Sequence, residues 1–358
     1  MSTTPESSLT STVTLGYWPG EGIGPEIVEP TVTATTLALR RHGGHGVRWV
    51  PLQLGREAFM RTGQVVPEET WSAVAGVDGW ILGPHDNASY PPEARGQQNP
   101  SAALRVRAAL WANIRPVRGI PGAVAPGMDV VVVRENTEGM YADRNMYAGS
   151  GDVMVTPDVA LAIGTFTRER VRRIVRRAGQ VAGERGGPLT VAHKANVLAR
   201  SSGMYLEEAE AMAANTGVEL LPVHIDALCA DLVVHPERHR TIVAENMFGD
   251  ILSDLTAALG GSLGSAGSIN AGNRAVMAQA AHGSAPDIAG RGVANPAGLM
   301  NSAAMMLDHL GHHVAGEALA DAVRHATLHS PTPDLAGPGG AGTAEFSQTV
   351  FAQLGGVV

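Results

Sequence analysis

Cysteine is nearly absent from this chain, and the marks of secretion or membrane insertion are missing. Among its 358 residues the single cysteine is Cys229, which excludes an internal disulfide framework and favours a reducing compartment. No apolar run is long enough to span a bilayer. Residues 1–12 (MSTTPESSLTST) lack the basic and apolar regions of a signal peptide. We therefore expect a cytoplasmic protein without a membrane partner.

An excess of positive charge is also missing. The formal net charge is −8, so a general affinity for nucleic acid is not expected. One basic run occurs, RERVRRIVRRA at Arg168–Ala178. Val171, Ile174 and Val175 recur there at helical spacing, which predicts an amphipathic helix with its arginines in solvent. The run therefore predicts a solvated helix face and no nucleic-acid partner.

Strand and helix patterns alternate along the chain, which is typical of the α/β class, and the length suffices for two domains. A first strand is predicted at Val13–Tyr17, then a turn with Gly20, Gly22 and Gly24, then a helix from about Pro25. Those glycines do not have the G-x-G-x-x-G spacing of a Rossmann domain. We further predict strands at Trp80–Leu82, Met128–Val133 and Leu189–Ala192, extended arms between Val153 and Ile163, a loop at Ser330–Gly342 and a helix at Ala344–Leu354.

Two carboxylates lie four residues apart in the segment ENMFGDILSDLTAALGGSLG, Glu245–Gly264. Asp250 and Asp254 stand in an apolar-periodic run, so the spacing places both on one face of a helix's first turns. Because like charges repel there, a cation between them is favoured, and carboxylate oxygens suit Mg²⁺ or Mn²⁺. The alternative is a solvated acidic face with the charge preference of a helix N-terminus.

Seven segments carry a resemblance to a known family. In order they are PGEGIGPE (19–26), LRVRAALWANIRPV (104–117), VVVRENTEGMY (131–141), VAHKANVL (191–198), HIDAL (224–228), ENMFGDILSDL (245–255) and HGSAPDIAGRGVANP (282–296). This set resembles the β-decarboxylating dehydrogenases, the isocitrate, 3-isopropylmalate, homoisocitrate and tartrate dehydrogenase family. The resemblance implies an α/β, isopropylmalate-dehydrogenase-like two-domain fold with a large mixed sheet, not a true Rossmann fold. Domain 1 would combine residues 1–110 with 262–358, and domain 2 would comprise 111–261.

The resemblance also implies a reaction, the oxidative decarboxylation of a 3-substituted malate. NAD takes hydride from C2, the 3-carboxylate leaves as CO₂, and protonation of the enolate gives a 2-oxo acid. Lys194 matches the family's acid/base lysine, and Tyr141 matches the tyrosine that protonates C3. Asp226, Asp250 and Asp254 match the ligands of Mg²⁺ or Mn²⁺. Lys194 and Asp226 would serve the other subunit of a homodimer, so that the active sites are shared.

Substrate and cofactor positions follow from the same matches. The residues expected to bind the substrate, whose carboxylates arginine pairs bidentately, are Arg105, Arg115, Arg134, Asn196 and Ser101. The residues expected to bind the cofactor are Ile23, His282, Gly283, Ala285, Asp287, Ile288 and Asn295. Asp287 would accept hydrogen bonds from both ribose hydroxyls and repel a 2′-phosphate, so we expect NAD rather than NADP.

The chain departs from the family pattern at three places. Gln279 stands where the family usually has Glu, and Pro331 stands where it has Arg. The segment QQNPSAALR, 97–105, matches neither the Glu and paired Leu of isopropylmalate enzymes nor the Ser and Asn of isocitrate enzymes. Ser101 and Ala102 replace the paired leucines, which removes an isopropyl-sized apolar pocket. A small or polar C3 substituent is therefore expected.

Other interpretations stay open at this point. One is a 3-isopropylmalate dehydrogenase proper. Another is a non-catalytic regulatory subunit of the same family, although such chains typically lose metal or lysine positions that are present here. A third is a di-acid binding protein, which would need neither Lys194 nor Tyr141.

Overall fold

The computed structural model of the protein describes residues 11–94, 96–141 and 149–356. The signal-peptide argument concerns residues 1–12, of which 1–10 lie outside these ranges. The strands are β1 Thr12–Trp18, β2 Gly46–Pro51, β3 Gly79–Leu82, β4 Ala112–Arg118, β5 Asp129–Glu135, β6 Asp152–Thr156, β7 Val159–Ala162, β8 Leu189–His193, β9 Leu220–His224, β10 Thr241–Ala244, β11 Ile269–Ala271 and β12 Val276–Gln279. The α-helices are α1 Gly24–Ala38, α2 Gly55–Thr62, α3 Glu68–Ala75, α4 Pro100–Arg107, α5 Arg168–Arg185, α6 Gly203–Thr216, α7 Ile225–Val234, α8 Asn246–Gly260, α9 Ala297–His309, α10 His313–His329, α11 Pro333–Ala336 and α12 Thr343–Gln353.

The chain divides into two compact units. Unit 1 comprises Met1–Ala103, Gly264–Ile269 and Ala275–Val358, and unit 2 comprises Leu104–Leu263 and Asn270–Arg274. The domain boundaries expected from the resemblance, at 110/111 and 261/262, stay a prediction.

Ten of the strands belong to a mixed sheet. In unit 1, β1 pairs in parallel with β2 and β3, and β12 pairs in parallel with β3. In unit 2, β4 pairs antiparallel with β5, while the β10 and β8 pairings run parallel. The antiparallel β4–β5 pair departs from the all-parallel Rossmann sheet. The expected fold class, a large mixed sheet that is not a true Rossmann fold, is confirmed.

The first βα turn of unit 1 has the conformation that its glycines allow. Gly20 and Gly22 have φ of 79° and 60°, in the left-handed region where a side chain is strained. A Cβ on Gly22 would also lie 2.1 Å from the Ser284 carbonyl oxygen. The glycines thus bring the chain before α1 against residue 284, and Pro25 stands in the first turn of α1.

Most predicted elements occur within a residue or two of their expected bounds. Val130–Val133 of β5 is buried, and α5 buries Val171, Ile174 and Val175 completely while Arg168 and Arg172 pair with Glu208 on α6. The basic run is therefore the predicted amphipathic helix. The predicted loop at Ser330–Gly342 is wrong in part, because Pro333–Ala336 forms the short helix α11 with Pro at its start.

A hairpin stands apart from the rest of unit 2. Strands β6 and β7 pair antiparallel with each other, and every residue of both strands is exposed. This is the predicted pair of extended arms. Within the part of the chain that the structure describes, no helix is both long and apolar enough to cross a bilayer.

Candidate active site

Two buried arginines lie on one face of the β4–β5 pair. The antiparallel register sets Arg134 opposite Asn113, and Arg115 follows Asn113 by two residues. Opposite residues of such a pair, and residues two apart, project on the same side of the sheet. Arg115 and Arg134 are 7% and 2% exposed. The sheet therefore fixes two guanidinium groups side by side, away from bulk water.

Helix α8 brings acids to these arginines. Arg134 bonds the Asp250 carboxylate through Nη1, and its Nε donates to Asn246 Oδ1 at 2.9 Å. Arg115 donates to Asp254 Oδ1 at 3.1 Å, and its Nη2 lies 3.5 Å from Asp250 Oδ1. Because Arg115 reaches both acids, it offsets the repulsion that the sequence predicted between them.

The pKa values of these groups are shifted by burial and by the charges of their neighbours. Burial, and then the neighbouring Arg134, lowers the pKa of Arg115 to about 10, so it stays protonated at neutral pH. Burial alone would raise the pKa of Asp250, but Arg134, Tyr141 and Arg115 together hold it below its usual value. The pKa of Asp254 is raised, by burial first and by Asp250 as well, with Arg115 opposing.

Tyr141 and Arg105 join the same group. The Tyr141 hydroxyl donates to Asp250 Oδ2, and the Arg134 guanidinium lies 5.4 Å from the centre of the tyrosine ring. The charge of Arg105, on α4, contributes to the low pKa of Asp250. The structure thus brings together five of the predicted site residues, namely Arg105, Arg115, Arg134, Tyr141 and Asp250, with Asp254 one helical turn further on.

The N-terminus of α8 is held by a residue that the sequence argument missed. Glu245 caps the helix by accepting from the backbone N–H groups of Met247 and Phe248, each at 3.0 Å. The backbone of Met140, next to Tyr141, interacts with this carboxylate and opposes the rise in its pKa that burial causes. A Cβ on Gly139 would lie 2.7 Å from Glu245 Oε2, so glycine permits this approach. An acidic N-cap before the helix of Asp250 and Asp254 was the available sequence signal.

Lys194 and Asp226 occur together at the ends of two parallel strands. The register of β8 and β9 sets His193 beside His224, so the residues that follow these strands meet at one edge. Lys194 Nζ lies 2.6 Å from Asp226 Oδ1, which lowers the pKa of Asp226. Asn196 is exposed in the turn after β8. Lys194 is also the only lysine in the sequence, a signal that composition alone offers.

The donor set for a metal ion is suitable but incomplete within one chain. Asp250 and Asp254 offer carboxylate oxygens one turn apart, and their side chains are 35% and 50% exposed, so solvent ions reach them. Among residues 11–94, 96–141 and 149–356, no group of three or more His, Cys, Asp or Glu side chains is placed to hold a metal. Asp226 is therefore not placed to join Asp250 and Asp254 of the same chain as a third metal ligand.

The predicted cofactor residues are gathered in unit 1. The Ile23 amide donates to the Ser284 carbonyl at 2.9 Å, which joins the first βα turn to the loop of His282, Gly283, Ala285, Asp287 and Ile288. Ala285 has φ of 36°, and Asp287 is exposed. Burial lowers the pKa of His282. The Asn295 side-chain nitrogen donates to Asp334 Oδ2 at 3.1 Å, and its side-chain oxygen accepts from the Ala297 backbone N–H. Both polar atoms of the Asn295 side chain therefore have protein partners.

Glu26 is a second residue that the sequence argument did not single out. It lies on α1, and its carboxylate accepts from the backbone amides of Gly290 and Gly292. This contact ties the segment that follows Ile288 to the helix that begins after the glycine turn. The motif PGEGIGPE ends in this glutamate, so the signal was present in a segment already recognised.

Comparison with known proteins gives the family. The family model described as isocitrate/isopropylmalate dehydrogenase matches residues 14–350. The chain is 38% identical over 346 residues to an isocitrate/homoisocitrate dehydrogenase of Thermus thermophilus, covering 94% of this chain and 96% of the relative. It is 34% identical over 344 residues to a 3-isopropylmalate dehydrogenase of Methanothermobacter thermautotrophicus, covering 94% and 97%. The crystal structure of isocitrate dehydrogenase from Methylococcus capsulatus is similar with a TM-score of 0.86 at 34% identity, covering 96% of this chain and 99% of that one.

These matches extend over nearly the whole chain and agree with the mixed sheet. The chain therefore belongs to the isocitrate/isopropylmalate dehydrogenase family and is a β-decarboxylating dehydrogenase.

Proposed function

We propose that this chain is an NAD-dependent and Mg²⁺- or Mn²⁺-dependent oxidative decarboxylase of a 3-substituted malate with a small or polar C3 substituent. The observation that carries the proposal is the pair of buried arginines on β4 and β5, set against Asp250 and Tyr141. Two cations this deeply buried suit a ligand with at least two carboxylates.

Substrate binding would rearrange the ion pairs of this group. The substrate's carboxylates would take guanidinium contacts on Arg115 and Arg134 that Asp250 and Asp254 hold in this structure. Released in this way, Asp250 and Asp254 would hold the divalent cation, with Asp226 of the second subunit as a further ligand. The bound ion supplies Lewis-acid polarisation of the substrate's oxygens.

Two residues would carry the protons of the reaction. Lys194, in its neutral form, would take the proton of the C2 hydroxyl, and NAD, when bound, would supply the acceptor for the hydride of C2. The bond between C3 and its carboxylate then breaks, and CO₂ leaves its electron pair on the enolate. Tyr141 holds a proton at its hydroxyl, against Asp250, and would give it to C3. The products are a 2-oxo acid, CO₂ and NADH.

The cofactor preference rests on the loop of unit 1. Asp287 is exposed, and its carboxylate is available to the two ribose hydroxyls of NAD. A 2′-phosphate in the same place would meet like charge, and Ile288 offers it no compensating cation. The Ile23–Ser284 backbone bond holds this loop against the glycine turn, where the chain comes close enough for a cofactor phosphate or ring.

A homodimer with shared active sites would complete the metal site. The β6–β7 hairpin exposes apolar side chains, and an isolated two-stranded hairpin is marginally stable in water. These exposed side chains are Val153, Met154, Val155, Val159, Leu161 and Ile163. A second copy of the chain would cover them, and it would supply Lys194 and Asp226 to the arginine cluster of its neighbour.

Turnover with a panel of substrates tests the reaction. The protein is incubated with NAD, Mg²⁺ and, in parallel, tartrate, isocitrate, homoisocitrate and 3-isopropylmalate, and NADH formation is followed. We expect turnover, with 3-isopropylmalate the poorest of the four. The absence of NADH with every substrate would reject the reaction, and the highest kcat/KM for 3-isopropylmalate would reject the preference for a small or polar C3 substituent.

Cofactor choice is tested at Asp287. The kcat/KM for NAD should exceed that for NADP at least about tenfold, or about 1.4 kcal/mol. Asp287→Ala should narrow that ratio, whereas Asp321→Ala, an exposed acid on α10, should leave it unchanged. Equal values for the two cofactors in the unmodified protein would mean that Asp287 does not meet the ribose.

A further inference from the structure

Two of the sequence departures are partners in the structure. Ser101, in the first turn of α4, donates its hydroxyl proton to Gln279 Oε1 at 2.9 Å. Gln279 is the last residue of β12, 178 positions away in the sequence. The two residues are 4% and 9% exposed, so water does not compete for this hydrogen bond. An unusual residue in α4 is therefore held by an unusual residue in β12.

Both partners are fixed by their surroundings in unit 1. The Gln279 backbone N–H donates to the Ser268 carbonyl at 3.1 Å, and Ser302 Oγ, which donates to the Gly298 carbonyl at 2.7 Å, lies 3.2 Å from the Gln279 carbonyl oxygen. On the other side, Asn99 Oδ1 accepts from the Ala102 amide at 2.8 Å, which holds the turn that carries Ser101. The backbones at both ends are anchored, so the contact between the two side chains is set by the fold.

The direction of this hydrogen bond decides what Ser101 offers a ligand. A serine hydroxyl has one proton and two lone pairs, and here the proton is committed to Gln279. Ser101 is left as an acceptor. A C3 substituent that donates a hydrogen bond complements an acceptor, whereas a carboxylate substituent would set lone pairs against lone pairs.

We propose that Gln279, acting through Ser101, makes this position a hydrogen-bond acceptor and selects substrates whose C3 substituent is a hydroxyl over substrates whose substituent carries a further carboxylate. The inference rests on the proposed function and on the expectation that Ser101, which replaces one of the paired leucines, contacts the C3 substituent. Gln279 is a positioning residue in this scheme, since it sets the polarity of Ser101 without touching the substituent.

The test compares two substitutions that differ in hydrogen-bonding capacity. Glu at 279 can only accept while ionised, so Gln279→Glu should leave Ser101 as an acceptor. Gln279→Met has similar length and offers no strong acceptor, so the Ser101 proton becomes available to a substrate carboxylate. The readout is kcat/KM for tartrate divided by kcat/KM for isocitrate, measured for each variant. Because every value is a ratio, a common effect of residue 279 on hydride transfer cancels.

In the unmodified protein we expect this ratio to favour tartrate by about tenfold or more. Gln279→Met should lower the ratio by about tenfold, and Gln279→Glu should keep it within about threefold. Ser101→Ala should also lower it, and Gln279→Met added to Ser101→Ala should change it no further, because the two residues act as one unit.

Several outcomes would overturn the inference. One is a ratio that favours isocitrate in the unmodified protein. Another is a large fall of the ratio in Gln279→Glu, which would mean that the side-chain NH₂ group of Gln279 donates to Ser101. An effect of Gln279→Met that persists in the Ser101→Ala background would show that residue 279 acts by another route. Turnover with an unchanged ratio rejects this inference alone, whereas no turnover of any malate rejects the proposed function as well.

Discussion

At the residue scale, the chain carries nearly all of its permanent positive charge on arginine. Of its 26 lysine and arginine residues only Lys194 is a lysine. Arginine keeps its proton under physiological conditions, and Arg115 does so even with its pKa lowered to about 10. Arginines at 115 and 134 can therefore hold carboxylates without taking part in proton transfer, a role that the proposed function gives to Lys194 and Tyr141.

The role of Asp250 is testable by removing its charge. Asp250→Asn should abolish most activity at any substrate concentration and weaken Mn²⁺ binding, because one anionic ligand is lost and the buried Arg134 loses its counter-charge. Activity is measured at saturating substrate and Mn²⁺ affinity by calorimetry. Asp308→Asn, an exposed acid on α9, is the control and should behave as the unmodified protein. Full activity in Asp250→Asn would contradict the metal assignment.

Glu135 makes stability depend on pH. Burial raises the pKa of this fully buried carboxyl from its ordinary value of 4.5 to about 7, against the hydrogen bonds from Thr137. As pH rises past 4.5 the unfolded chain loses this proton first, while the folded chain keeps it up to about 7. The folded state therefore binds more protons in that window, and stability falls as pH rises through it, by on the order of 3 kcal/mol.

Replacement of Glu135 isolates this effect. In Glu135→Gln the loss of stability caused by this carboxyl is absent. As pH rises from 4.5 to 7, the melting temperature of the variant should therefore fall by a few degrees less than that of the unmodified protein. Calorimetry across this range is the measurement. Glu207→Gln, at an exposed site paired with Arg168, should show the same pH dependence as the unmodified protein. Parallel curves for Glu135→Gln would mean that Glu135 ionises normally in the folded state.

At the element scale, α8 is the structure that assembles the cluster. Its one-turn spacing presents Asp250 and Asp254 together, and Gly249 lets it approach β5, since a Cβ there would lie 2.6 Å from Arg134 Cγ. Glu245 caps the helix, and its carboxylate interacts with the backbone of Met140 as well. One carboxylate therefore couples the helix of the acids to the segment that carries Tyr141.

That coupling predicts a specific loss in Glu245→Gln. The amide keeps one acceptor oxygen and places an NH₂ group against a backbone N–H, which should cost about 1 kcal/mol of stability. Because one of the two contacts that hold the Tyr141 segment against α8 is then weakened, and only the Tyr141–Asp250 bond stays intact, kcat should fall several-fold while KM changes less. Glu169→Gln, an exposed acid in the first turn of α5, is the matched control. A pure loss of stability, with kcat intact, would reduce Glu245 to a helix cap.

At the scale of the whole molecule, the chain holds its expected site residues in separate groups. Lys194 and Asp226 pair with each other at the end of β8 and β9, while Asp250 and Asp254 pair with the arginines of β4 and β5. The exposed apolar hairpin β6–β7 calls for a covering surface. A dimer that exchanges the first group between subunits would account for all three observations.

Complementation between inactive chains tests that exchange. Lys194→Ala mixed with Asp250→Asn should regain about a quarter of full activity, because random exchange makes half of the dimers mixed and each of these has one intact site. The pair Asp250→Asn with Asp254→Asn is the control and should regain none, since both changes fall in the same group. If verified subunit exchange restores nothing in the first pair, each site is built within one chain.

The sequence by itself determined the elements and the chemistry of individual residues. The helix of Asp250 and Asp254, the buried strand β5 and the amphipathic α5 follow from spacing and periodicity, because helix and strand repeats are local properties of the chain. The family followed from seven short segments, since each keeps its residues within a few positions of one another.

Only the tertiary structure decided which side chains meet. Arg115 bridges Asp250 and Asp254 because β4 lies antiparallel to β5 and α8 packs on them, and no local repeat connects these positions. Ser101 and Gln279 looked like independent departures, yet the fold makes them one hydrogen-bonded pair. The physical reason is the same in both cases: contacts between distant positions depend on how elements pack, and packing is settled by the whole chain at once.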